Sequence, residues 1–149
     1  MKIIIDTREQ KPYSFKDVEG VESVTRAALP TGDYSLEGYE NHAAIERKSL
    51  DDFISTVIHD KQRFLQELDR AKQLVFFAVV VEASVADIAL QRYTSKASPA
   101  AVFAHVASLM LDWRIPVIFC NDRAGAQVMT AVLLKYCKKK ILLNSDIFY

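Results

Sequence analysis

The fold class this chain predicts is α/β: a mixed central β-sheet flanked by helices. Three observations lead there. Residues 74–81 form a continuous apolar run, too short to cross a membrane and suited to a strand buried on both faces. Ser98-Pro99 and Asn121-Asp122 each stand before a long stretch with apolar residues at helical spacing. Residues 33–36 and 43–48 are short strand-like runs close enough to form a hairpin. At 149 residues the chain is long enough for one domain with a real core, and residues 1–149 are taken as that domain.

The elements follow in order. Residues 2–5 are a β-branched run, expected as a central or near-central strand. Asp6-Thr7-Arg8-Glu9 stands at its end. Such a tetrad is either a solvated salt-bridge cluster or the rim of a site. Residues 10–30 are polar and irregular, broken by Pro12, Gly20 and Pro30, with a brief strand expected over 21–24. Gly32 precedes the hairpin and suits a backbone conformation closed to other residues.

A hairpin turn near Glu40 and Asn41 sets Asp33 across from the 46–48 region, whereas a turn at Gly38 would shift the pairing. Residues i and i+2 of a strand share a face, so Glu46 and Lys48 point one way and Arg47 the other. Residues 49–58 are expected as a helix with Leu50, Phe53, Ile54, Val57 and Ile58 inward. Ser49 and Asp52 have the spacing of a capping box, so Asp52 has two roles open to it, helix cap and site residue.

His59-Asp60-Lys61 is an expected interruption before a second helical stretch over 62–73. Residues 85–90 suit a short helix and 91–96 a mobile loop, with Arg92, Tyr93 and Lys96 available for contact on it. The helix after Ser98 is expected to reach Trp113, with a buried strand over 115–120 and a last helix over 123–138. In that last helix Val128, Met129, Val132, Leu133 and Tyr136 are the expected inward residues, and Lys138-Lys139-Lys140 the solvated end.

Composition excludes several classes. The balance of 50% hydrophobic and 26% charged residues is that of a soluble globular protein. The formal net charge is zero, which argues against an avid, nonspecific coat on DNA. It leaves room for an enzyme that meets DNA through a local patch, because acidic site residues lower the net charge. Cys120 and Cys137 are too few for a disulfide framework or a zinc site. The N-terminus enters a strand rather than a signal peptide, so the expected location is cytoplasmic, with no membrane partner.

The chemistry concentrates in Glu46-Arg47-Lys48 and Asp52. A carboxylate beside a lysine is what metal-dependent phosphodiester cleavage needs: the carboxylate holds Mg²⁺, and the lysine orients water and stabilises the charged phosphorus centre. Glu-x-Lys alone is common. Glu-Arg-Lys-x-x-x-Asp has four set positions, and a chain of this length meets it by chance on the order of once in a thousand. Gly32-Asp33 upstream completes the pattern. Together these resemble the signature of the XPF-type (ERCC4-like) family of structure-specific endonucleases. Leu29-Pro30-x-Gly32-Asp33-Tyr34 and the Asp6-x-Arg8-Glu9 segment are similar to that family too, and the likeness runs over nearly the whole chain.

The resemblance implies a restriction-endonuclease-like core whose catalytic hairpin supplies the metal ligands. It implies Asp33 and Glu46 as ligands of Mg²⁺ or Mn²⁺, joined or not by the backbone carbonyl of Arg47, and Lys48 as the residue that positions water. Asp6 and Asp52 would support the metal or its waters, Arg8 would contact phosphate, and Arg47 would act in catalysis and DNA binding. A basic residue near the scissile phosphate is implied as well; Arg63 matches best and Lys61 next.

The implied partner is DNA with branches, flaps or junctions between single and double strands. Repair, recombination and the processing of phage or mobile-element DNA are all open pathways. The alternative is a catalytically silent DNA-binding or assembly module of a nuclease complex, whose mark would be broken motifs. The helix-hairpin-helix and helicase parts common in the family do not occur in these residues, so a nuclease domain standing alone is expected. A homodimer through the helical side is a further expectation. The last two helices, Trp113, Tyr136 and the Ile147-Phe148-Tyr149 tail would serve either that contact or the core.

Overall fold

A computed structural model describes residues 1–145. The Ile147-Phe148-Tyr149 tail lies outside the described residues. Six strands form one mixed sheet in the order β2-β1-β3-β4-β5-β6. They are β1 (Lys2–Asp6), β2 (Ser23–Ala27), β3 (Tyr34–Leu36), β4 (Ala43–Lys48), β5 (Phe76–Val81) and β6 (Val117–Phe119). β3 is antiparallel to both of its neighbours, and every other pairing is parallel. All strands except β3 therefore point the same way. Their C-terminal ends share one edge of the sheet, where open α/β sheets place their sites.

Alternation along the strands sends side chains into two cores. One face carries Ala44, Val79 and Val81 against the helices α1 (Leu50–Ile54), α2 (Lys61–Ala71), α3 (Val85–Ala89) and α4 (Pro99–Leu111), which contribute Phe53, Phe64, Leu68, Ile88, Val102 and Leu109. The other face carries Tyr34, Ile45 and Val80 against Ala126, Ala131 and Leu134 of α5 (Arg123–Ser145). Among the described residues no helix is long and apolar enough to cross a membrane.

Several boundaries differ from expectation for local reasons. β2 begins at Ser23 rather than at residue 21. It is an edge strand whose polar residues face outward, so its pairing with β1 leaves little apolar signal. Leu74 closes the turn after α2, its N–H donating to Ala71 O at 3.0 Å, so β5 starts only at Phe76. The expected helix over 49–58 is α1 followed by a π-helical turn, Ser55–His59. Half of the expected capping box forms: Ser49 Oγ accepts from the Asp52 N–H at 3.3 Å.

The largest departure is in α5. It runs on to Ser145, so Lys138-Lys139-Lys140 lies within the helix and not at its end. Its buried face is Ala126, Thr130, Ala131, Leu134 and Cys137, while Val128, Val132 and Tyr136 are 52%, 42% and 60% exposed. Small residues allow the helix to lie close on β4 and β5, and Met129 and Leu133 pack partly buried beside them as expected, while Val128, Val132 and Tyr136 are left outside. Trp113, by contrast, packs on the first core with Lys72 Nζ 4.2 Å from its ring centre.

Gly32 sets the entry to the hairpin. Its φ is +77°, and a Cβ there would stand 2.8 Å from Ala44 Cβ and 3.3 Å from Ile45 O. Gly32→Ala is expected to destabilise the fold by about 1–3 kcal/mol from backbone strain alone. Urea unfolding measures this, and an unchanged midpoint would contradict the geometry.

Candidate active site

Tyr34 pairs with Ile45, so the antiparallel register brings Asp33 opposite Glu46. The turn is therefore centred near Tyr39 and Glu40, close to the expected position. Asp33 is pinned from both sides: its N–H donates to Ile45 O at 2.9 Å, and its carbonyl accepts from the Asp6 N–H at 2.8 Å. Its Oδ2 accepts from the backbone N–H of Arg47 at 2.8 Å. Glu46 and Lys48 share the face of β4 that looks toward α1 and α2, and Lys48 Nζ lies 3.3 Å from Glu46 Oε1.

Glu46 and Lys48 open into a polar cleft of about 350 Å³, lined also by Asp52, Ser55, Thr56, Asp60, Arg63 and Glu67. Asp33 stands across the hairpin from Glu46, behind this lining. Because the capping box is only half formed, the Asp52 carboxylate is left for this cleft. Arg63 joins it and Lys61 does not. The two are two positions apart on α2 and so on nearly opposite sides. Lys61 lies instead in a second groove with His105 and Trp113. In the expected loop, Arg92 pairs with Asp87 at 3.1 Å and Tyr93 packs on the first core.

Arg47 points to the other face. Its Nε and Nη2 both donate to the Glu9 carboxylate at 2.9 Å, and Nη1 donates to Glu82 Oε1 at 2.9 Å. Its side chain is only 9% exposed. Glu82 in turn accepts from the Tyr13 hydroxyl at 2.6 Å and from Arg123 Nη1 at 3.3 Å. One guanidinium thus ties the segment after β1 to the end of β5. The expected contact of Arg47 with DNA therefore meets a side chain already engaged on both edges of its fork.

Asp6 is similarly occupied. Its Oδ2 accepts from Arg8 Nε at 2.8 Å and its Oδ1 from the Leu29 N–H at 2.9 Å. The structure gives it the task of holding Arg8 and the chain before Gly32. Arg8 itself is 73% exposed. Sequence reasoning missed Tyr13, Glu67, Glu82 and Arg123. Glu82 carried a signal, a charge placed directly after the most apolar strand, but residues 10–30 showed no period that would reveal Tyr13 stacked on Tyr34 at 5.2 Å.

The electrostatics divide the carboxylates into two groups. Burial resists ionisation of Asp6 and Glu9, but hydrogen bonds from Arg8 and Leu29, and from Arg47, outweigh it and hold both below the usual range. Burial pushes Asp33 up to about 7, Glu9 adds to this, and the Arg47 N–H and Lys48 offset it only in part. Glu46 is held well above its usual range, first by burial and then by the charges of Asp33 and Glu67. Two facing carboxylates that both resist ionisation are a donor set suited to a hard divalent cation. Among the described residues no three acidic, His or Cys side chains form a ready cage, so such an ion would keep waters or take oxygens from a substrate.

A mixed sheet with this hairpin at its C-terminal edge defines the class, a restriction-endonuclease-like α/β domain. Residues 5–133 match the ERCC4 domain, and the chain belongs to that family. Its fold is similar to that of XPF from Aeropyrum pernix, with a TM-score of 0.73 and 24% identity over 99% of this chain and 68% of that one. It also matches XPF from Aeropyrum pernix in complex with DNA, with a TM-score of 0.67 and 24% identity over 93% of this chain and 66% of that one. The chain therefore spans about two thirds of the length of these structures. No curated protein matches it significantly.

The raised carboxyls make stability depend on pH. Without a cation, the folded state holds protons on Asp33 and Glu46 that the unfolded chain releases near pH ~4. Their contribution is therefore full below that pH and, for Asp33, is lost as pH rises through about 7. Asp6 and Glu9 act with the opposite sign and at lower pH. The melting temperature of metal-free protein is expected to fall between about pH 4 and pH 7, and less steeply in Asp33→Asn. Identical slopes in the two proteins would refute this account of Asp33.

Proposed function

We propose that the chain is a divalent-metal-dependent endodeoxyribonuclease that hydrolyses phosphodiester bonds of branched or flap-like DNA in repair or recombination. The observation that carries this is Asp33 facing Glu46 across one hairpin, with Lys48 paired to Glu46 in the same cleft as Asp52 and Arg63. Membership of the ERCC4 family supports it. The alternative of a silent module is disfavoured because every position of the motif is intact.

In this reaction Asp33 and Glu46 would hold Mg²⁺ or Mn²⁺, which would supply Lewis-acid charge at the phosphate. Lys48 would orient the attacking water and place positive charge where the phosphorane develops. Water oxygen bonds to phosphorus and gives up a proton to solvent as the bond to the leaving sugar oxygen breaks, and that oxygen takes a proton from solvent. Asp52 steadies water at the mouth of the cleft, while Arg8 and Arg63 bind phosphate. Asp6 and Arg47 act as positioning residues, one holding Arg8 and the other holding the Glu9 and Glu82 edges of the site.

Asp33→Asn and Lys48→Ala are expected to lower cleavage at least a hundredfold while far-UV dichroism stays unchanged. The assay uses duplex, single-stranded, flap, fork and four-way-junction DNA with Mg²⁺, Mn²⁺ or EDTA. Cutting retained in either variant, or undiminished in EDTA, would remove the proposed mechanism.

The outward stripe of Val128, Val132 and Tyr136, next to an apolar groove lined by Val75, Phe76, Leu133 and Ile141, supports a homodimer through α5. A double variant, Val132→Asp with Tyr136→Asp, is expected to turn a dimer into a monomer by light scattering. A monomeric wild type at micromolar concentration would exclude the dimer.

A further inference from the structure

We propose that Glu67 is a positioning residue of the cation site, its carboxylate holding a water of the bound divalent ion on the α2 side of the cleft. This rests on Asp33 and Glu46 being the cation's ligands. Arg63 and Glu67 stand one turn apart on α2 and line the cleft together with Glu46, Lys48 and Asp52. Their direction is not free to drift, because Phe64 and Leu68 bury the adjoining face of the helix in the first core.

Glu67 is half-buried, yet among the described residues no hydrogen bond or ion pair engages it. It lines the same cleft as Glu46 and Lys48, on the wall that α2 supplies. A half-buried carboxylate with no partner is unfavourable in the metal-free protein. A divalent ion in the cleft would supply the missing compensation.

Direct ligation is not how Glu67 would act, since no three acidic side chains of the described residues converge on one point. Mg²⁺ dehydrates reluctantly and keeps several waters, and carboxylates just beyond the ligands orient such waters. Glu67 would make that contact from the α2 wall of the cleft.

The test is calorimetric titration of the whole chain with Mn²⁺ at neutral pH, beside melting of the metal-free proteins. Glu67→Gln is expected to weaken Mn²⁺ binding about ten- to hundredfold and to raise the metal-free melting temperature. Asp69→Asn makes the same charge change on α2, at an exposed residue paired with Lys72 at 3.3 Å, and is expected to alter neither. Wild-type affinity in Glu67→Gln, or equal weakening in Asp69→Asn, would overturn the assignment. If Mn²⁺ binding is lost in Asp33→Asn but kept in Glu67→Gln, only Glu67 loses its role. If the wild type binds no Mn²⁺, the cation site fails and Glu67 with it.

Discussion

The buried fork of Arg47 is the contact on which the rest of the site depends. It accepts a geometry that only a guanidinium supplies, bidentate to Glu9 and single to Glu82. Those partners lie on separate segments, one after β1 and one after β5, with β4 between them. The clamp therefore spans the C-terminal edge of the sheet from the face opposite the cleft. Breaking such a group leaves buried charge without compensation, which is costlier than the net worth of the pair. Lysine could satisfy one carboxylate and not the other.

Strand alternation then assigns tasks to three consecutive residues. Glu46 and Lys48 meet the cleft, and Arg47 holds the framework behind them. Asp33 is held opposite Glu46 because its backbone is bonded to both β1 and β4. The charges that the framework needs are paired on one face of the sheet, and those that chemistry needs are strained on the other. A formal net charge of zero reflects this division and is compatible with DNA as a partner.

Much of this was legible in the sequence because it rests on local rules. Helical spacing disclosed α4, an unbroken apolar run disclosed β5, and the hairpin register followed from a turn placed close to where it occurs. The family signature led to the residues of the cleft. What was hidden depends on tertiary contact. Tyr13 and Phe15 are buried from a segment with no period at all, because they fill space beside Tyr34. The inward face of α5 was only half legible: Met129 and Leu133 pack on the second core as expected, but Val128, Val132 and Tyr136 do not, because apolar bulk marks a helix face without saying which side a sheet will cover. Whether Asp52 caps or serves the cleft also turned on one hydrogen bond that no spacing reveals.

The π-helical turn at Ser55–His59 carries a consequence for how this family of chains can vary. An added residue in a helix rotates everything downstream by about 100°. The turn and Asp60, the one non-helical residue between it and α2, together set which side chains of α2 look into the cleft. A one-residue insertion or deletion in the turn has only Asp60 to absorb it before it reaches the helix. It would exchange the cleft-facing pair Arg63 and Glu67 for their neighbours and drive Phe64 and Leu68 out of the core. Length is therefore constrained in this short stretch more tightly than residue identity, although no side chain within it needs to perform chemistry.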